Sequence, residues 1–150
     1  MGERVAGRLD GTPDVKGRRL RVTELCRSLP EAEVEQAGAQ HLAFKVKKKI
    51  FGYYAYDHHG DGTIALWCKA PPGEQGRLVA ERPDVYFVPA YVGPKGWVGI
   101  RLDTARVDWA ELKHHLFAAW LMAAPAGVRK HVQTAEVAEP SQGRRRRTRG

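Results

Sequence analysis

Four of five consecutive residues in one stretch are lysines, Lys45, Lys47, Lys48 and Lys49, set between Phe44 and Ile50-Phe51. Cations at this spacing neutralise phosphates, and the tyrosines that follow, Tyr53, Tyr54 and Tyr56, are of the type that packs on sugars and bases. The same run equally suits a solvated hairpin tip whose lysines keep an edge strand from pairing with another chain. Lys95, in the turn Gly93-Pro94-Lys95-Gly96, and Arg101 extend the patch if the two hairpins share a face. A second cationic block closes the sequence, Arg144, Arg145, Arg146 and Arg147 followed by Arg149. It can hold nucleic acid by counterion release without reading sequence, or serve as a solubilising tail.

Other chemistries have less support. His58-His59 and His114-His115 are adjacent pairs, and neighbours on a helix point about 100° apart, so a metal site needs ligands from elsewhere. Exposed loop and helix-flank histidines are the simpler reading. His41 stands singly before the strand that carries Lys45, where a structural hydrogen bond suits it better than the role of a general base. Cys26 and Cys68 are the only cysteines and form no C-x-x-C pair, so neither a disulfide framework nor a cysteine zinc site is implied, and reduced thiols in a cytoplasm are expected. Neither G-x-x-x-x-G-K-[ST] nor G-x-G-x-x-G occurs. Gly93 to Gly96 spells the G-x-x-G of a KH loop, but that loop joins two helices, whereas this segment joins two strands and Pro94 removes an amide. No catalytic residue, cofactor or metal is expected.

The bulk numbers fit one core with tails: 150 residues, 43% hydrophobic, 25 Lys and Arg against 17 Asp and Glu, net charge +8. Such a balance favours acidic partners, yet much of it is terminal, since residues 136–150 alone hold five Arg and two Glu. The body keeps a mild positive excess. The first residues have no apolar h-region, and Ala6 sits where a myristoylation motif wants Ser or Thr. No apolar stretch approaches the roughly 20 residues that cross a bilayer, so no membrane partner is expected.

The elements that must position these residues follow from periodicity. Residues 1–17 are polar and Gly-rich and read as a disordered tail, with the domain over 18–134 and a second disordered tail over 135–150. Val22, Leu25, Cys26 and Leu29 mark one face of a first helix that Pro30 stops. Residues 31–40 read as an acidic connector. Leu42, Phe44 and Val46 alternate with polar neighbours as a strand, Lys48-Lys49 reads as its turn, and strands over 50–56 and 63–69 complete a meander. A short helix begins at Pro71-Pro72, strands over 86–88 and 97–102 follow, and Asp108 with Glu111 is a capping box that starts a long helix. Its stripe is Trp109, Leu112, Leu116, Trp120 and Ala123, with Lys113, His114 and His115 beside it. The aromatics Tyr86, Phe87, Tyr91 and Trp97 are expected to pack inward.

Several stretches resemble the MmcQ/YjbR family: Ser28 to Glu31, His41 with Phe44 to Phe51, Trp67 to Lys69, Glu74-Gln75, Arg82 to Leu102, and Val107-Asp108-Trp109. The most specific is F-V-P-A-Y-V-G-P-K-G-W-V-G at Phe87 to Gly99. The sequence departs from the family pattern at Ala90, at Ala119-Trp120 and at Ala126. The resemblance implies a small secretion-chaperone-like α+β domain, with an antiparallel sheet of about five strands, an N-terminal helix, a short middle helix and a long C-terminal helix. Members of the family are commonly labelled DNA-binding, and no catalytic residues come with that label. The expectation is a non-enzymatic cytoplasmic domain that binds DNA mainly through phosphates, without strong sequence readout. It would use Lys45, Lys47, Lys48, Lys49, Lys95, Arg101 and the arginine tail. The alternative is a protein-interaction module in which the basic charge is incidental.

Overall fold

A computed structural model describes residues 14–130, which build an α+β fold. Helix α1 spans Val15–Arg27, and strands β1 (Ala32–Gln36), β2 (Leu42–Val46), β3 (Lys49–Tyr56) and β4 (Ile64–Cys68) follow. Helix α2 (Glu74–Glu81), strands β5 (Tyr86–Phe87) and β6 (Val98–Arg101), and helix α3 (Trp109–Ala123) complete it. The strands form one antiparallel six-stranded sheet in the order β1-β2-β3-β4-β6-β5.

Period-2 alternation sorts the sheet into two faces. Leu42, Phe44, Val46, Tyr54, Leu66, Cys68, Val98 and Ile100 point to the helices, where Val22, Cys26, Leu112, Leu116 and Trp120 close the main core. A bulge opposite Phe44-Lys45 turns Phe51 onto this side as well. The other face carries a smaller cluster of Ala55, Ala65, Trp67 and Trp97, with Tyr53, Ile50, Phe87 and Val92 against it. The loop before β6 covers part of this face. Strand β4 lies under both layers and is buried at every position.

Three expected boundaries move. The acidic stretch after Pro30 is a strand and not a connector: Ala32 and Val34 are half-buried between exposed Glu33 and Glu35, and they pair with Val46 and Phe44. The sheet therefore has six strands where about five were expected. Helix α1 starts inside the segment read as tail, because Asp14 caps it by accepting from the Gly17 N–H at 3.1 Å. A Cβ at residue 17 would collide with that carboxylate, so glycine is what lets the cap close. Helix α2 begins at Glu74 and not at Pro71-Pro72; Gly73, with φ 84°, makes the entry.

Arg18 joins the start of the fold to its end. Its guanidinium donates to the carbonyls of Leu102, at 2.8 Å, Thr104, and Ala105, at 3.0 Å, and so fastens α1 to the loop between β6 and α3. At the far end of α3, Trp120 Nε1–H donates to the Pro30 carbonyl at 3.1 Å.

Candidate functional site

The β2–β3 hairpin turns on Lys47 and Lys48, one residue earlier than the sequence pattern predicts, since Val46 pairs with Lys49. Both turn residues have positive φ, 48° and 73°, which a two-residue hairpin of primed type demands and which Asn-Gly ordinarily supplies. The three consecutive lysines 47 to 49 are all exposed. Two of the hairpin's four lysines meet carboxylates of β1 and its approach: Lys45 Nζ lies 3.0 Å from Glu35, and Lys47 Nζ 2.7 Å from Glu31. The Glu31 hydrogen bond and charge raise the Lys47 pKa. Among the described residues, no carboxylate pairs with Lys48, Lys49 or Lys95.

The register corrects the expected tyrosine ridge. Tyr53 shares the face of Lys45, whereas Tyr54 is fully buried in the helix-side core and Tyr56 packs against that core. Arg101 projects from β6 on the face of Lys45, in the row Ala55–Ala65–Arg101, but Asp103 binds it bidentately at 3.0 and 2.9 Å. That hydrogen bond, with the Asp103 charge, raises the Arg101 pKa. Lys95 is exposed on the short helical turn Gly93–Lys95, within the loop that covers the same face. Lys45, Arg101 and Lys95 thus belong to one side of the sheet, with Lys47 to Lys49 at its end. Arg144, Arg145, Arg146 and Arg147 lie outside the described residues.

At the opposite end of the β2–β3 ribbon is a site that sequence reading missed. His41, Tyr53, Ala55, His58, Trp67 and Tyr91 line a cavity of about 220 Å³. The His58 ring centroid lies 4.9 Å from Trp67, 5.7 Å from Tyr91, 5.9 Å from His41 and 4.1 Å from His59. His59 Nε2 and the Tyr91 hydroxyl share a hydrogen bond of 2.8 Å. Tyr56 N–H donates to His41 Nδ1 at 3.1 Å, so the proton of that ring sits on Nε2, and the structural hydrogen bond expected for His41 is present. Burial, then the charges of His59 and His41, lowers the His58 pKa. Tyr91, expected to pack inward, is instead 72% exposed at the rim, while Tyr86 and Trp97 are buried. Among the described residues, no group of three or more His, Cys, Asp or Glu is placed to hold a metal ion.

Behind the sheet, the Tyr86 hydroxyl shares a 3.0 Å hydrogen bond with His115 Nε2, and Glu111 stands 3.8 Å from that nitrogen. The expected capping box is half formed: Asp108 accepts from the Glu111 N–H at 3.1 Å, while the Glu111 carboxylate faces His115 and, at 3.9 Å, Arg82. Burial, then the His114 charge, lowers the His115 pKa. Both cysteines are buried and free, and burial pushes their thiols up to about 12. No helix among the described residues is long and apolar enough to cross a membrane.

No curated protein matches the chain. The crystal structure of Deinococcus radiodurans protein DR2400, with a DUF419 domain, is similar with a TM-score of 0.60. At 20% identity, that alignment covers 75% of this chain and 85% of the other, a likeness of fold. The family model described as YjbR matches residues 27–122, from the end of α1 almost to the end of α3. That span takes in the whole sheet and both candidate sites, and the chain belongs to the YjbR family.

Proposed function

We propose that the chain is a non-enzymatic cytoplasmic DNA-binding domain that holds duplex DNA mainly through phosphates, without strong sequence readout. The observation that carries this reading is the lysine turn. Lys47 and Lys48 occupy positive-φ positions that favour Asn and Gly, and L-residues with long side chains are strained there. Strain tolerated at an exposed turn, with Lys49 next in the chain, buys a compact cationic tip rather than stability. The Lys47–Glu31 pair is open to water on both sides and holds weakly, so a phosphate can displace the carboxylate. Lys95 and the arginine tail add further cations, and the two buried reduced thiols suit a reducing compartment.

The test is duplex affinity of the full chain against salt. Four phosphate contacts, from Lys47, Lys48, Lys49 and Lys95, contribute about −3.6 to the slope of log K on log salt, and contacts from the arginine tail steepen it further. Replacing Lys47, Lys48 and Lys49 by Gln flattens it by about 2.7 if the turn makes the contacts. A slope unchanged in that variant but lost when Arg144 to Arg147 become Gln assigns the binding to the tail. No DNA affinity at about 50 mM salt leaves the protein-interaction alternative.

A further inference from the structure

We infer that the pocket between His58, Trp67 and Tyr91 is a binding site for one planar, uncharged heteroaromatic ring of nucleobase chemistry. The inference goes beyond the phosphate reading and does not require it, because the pocket and the lysine turn lie at opposite ends of β3, about 20 Å apart at the strand's rise per residue.

Shape comes first. At about 220 Å³ the cavity is below the roughly 300–1,000 Å³ of sites for drug-sized ligands, and it suits a single ring system. Ala55 forms part of its lining two residues along β3 from Tyr53, whose β4 partner is Trp67, and the missing side-chain bulk at Ala55 is what leaves the space. Tyr53, Trp67 and Tyr91 supply π-faces, against which every nucleobase stacks.

Polarity narrows the occupant. No carboxylate lines the cavity, which disfavours the cationic ligands that aromatic cages take. The His58 ring makes no hydrogen bond among the described residues, its backbone carbonyl alone accepting from the Asp61 N–H, so in its neutral form the ring presents one donor and one acceptor, and His41 Nε2–H is a second donor. A donor beside an acceptor is what the edge of a base offers in return. The burial that lowers the His58 pKa disfavours charge at this position.

Backbone strain points to the same place. Asp57, His59 and Tyr91 all hold positive φ, at 47°, 52° and 63°, and all sit at or beside the rim. Non-glycine residues persist in that region where the surroundings over-determine them, and such positions cluster at ligand clamps. Asp57 Oδ1 accepts from the Gly62 N–H, and the His59–Tyr91 bond ties the two rim loops together.

The experiment is amide chemical-shift mapping on the full chain, titrated with adenosine, guanosine, cytidine and thymidine. A parallel series uses short single-stranded oligonucleotides and an abasic strand of equal length. Tyr91→Asn tolerates the left-handed backbone and removes the ring; His58→Phe keeps a ring and removes the donor and acceptor. Shifts at residues 41, 53–58, 67 and 91–92, with affinity at least about fivefold weaker in Tyr91→Asn, support the site. If nucleosides give them, the ligand is a free ring. If oligonucleotides give them and nucleosides and the abasic strand do not, the ligand is a base in a strand. Shifts confined to the lysine turn, equal binding by the abasic strand, or unchanged affinity in Tyr91→Asn overturn the assignment and leave the phosphate reading intact.

Discussion

Arg18 gives the sharpest stability prediction, because one guanidinium holds three backbone carbonyls in the loop that follows the last strand. Truncation to alanine removes all three bonds and the charge that strengthens them. Hydrogen bonds to a charged group contribute about 1.5–3 kcal/mol each in protected settings. The Ala105 carbonyl is exposed and regains water, whereas those of Leu102 and Thr104 are partly buried and regain less. Arg18→Ala should therefore cost about 2–3 kcal/mol, and roughly 4 °C of Tm per kcal/mol puts the midpoint about 8–12 °C lower. Arg18→Lys should recover less than half, since an ammonium cannot span a forked set of carbonyls. Urea unfolding followed by far-ultraviolet circular dichroism reads both, with the slope unchanged if only stability moves. A loss below about 0.5 kcal/mol in Arg18→Ala, or a Lys variant equal to the parent, would refute the reasoning.

Two further outcomes follow from the geometry. Converting the turn to Asn-Gly, by Lys47→Asn with Lys48→Gly, should stabilise the fold by about 0.5–1 kcal/mol in urea melts while weakening duplex binding at low salt, and a destabilised variant would mean the lysines are not strained. The lowered pKa of His115, with that of His58, means that the folded chain resists protons which the unfolded chain accepts. Stability should be full above about pH 6.5 and fall as pH drops below it towards the folded values, and His115→Gln should flatten the fall in Tm between pH 7.5 and 5.5. An identical pH dependence in that variant would place the effect elsewhere.

Much of the fold was legible because its signals are local. The alternation of Leu42, Phe44 and Val46, the cap at Asp108 and the stripe from Leu112 to Trp120 each depend on residues a few positions apart. Strand β1 was hidden because Glu33 and Glu35 have low strand propensity, and what makes them a strand is pairing with Ala43 and Lys45. The lysines were visible, but not the carboxylates opposite them, which come from ten to sixteen residues away in the chain. The aromatic pocket was the least legible feature. His41, His58, Trp67 and Tyr91 have no shared spacing, and only strand register and two strained loops bring them together. One clue was available: a Tyr in a segment so rich in Gly and Pro is a candidate for a loop tip as much as for the core.

The acidic edge strand has a further consequence. Glu33 and Glu35 stand on the strand about 6.6–6.8 Å apart, and Glu31 sits in the turn that enters it, alongside the lysines they face. Tethered in the same sheet, these carboxylates act at a high effective concentration that a lone phosphate ion in solution cannot match. A chain of phosphates can, because it displaces several carboxylates in one event. Under the proposed phosphate reading, the acidic segment is a resident competitor for Lys45 and Lys47, so these two lysines should answer to polyanions before monovalent anions, while Lys48 and Lys49 have no such competitor among the described residues.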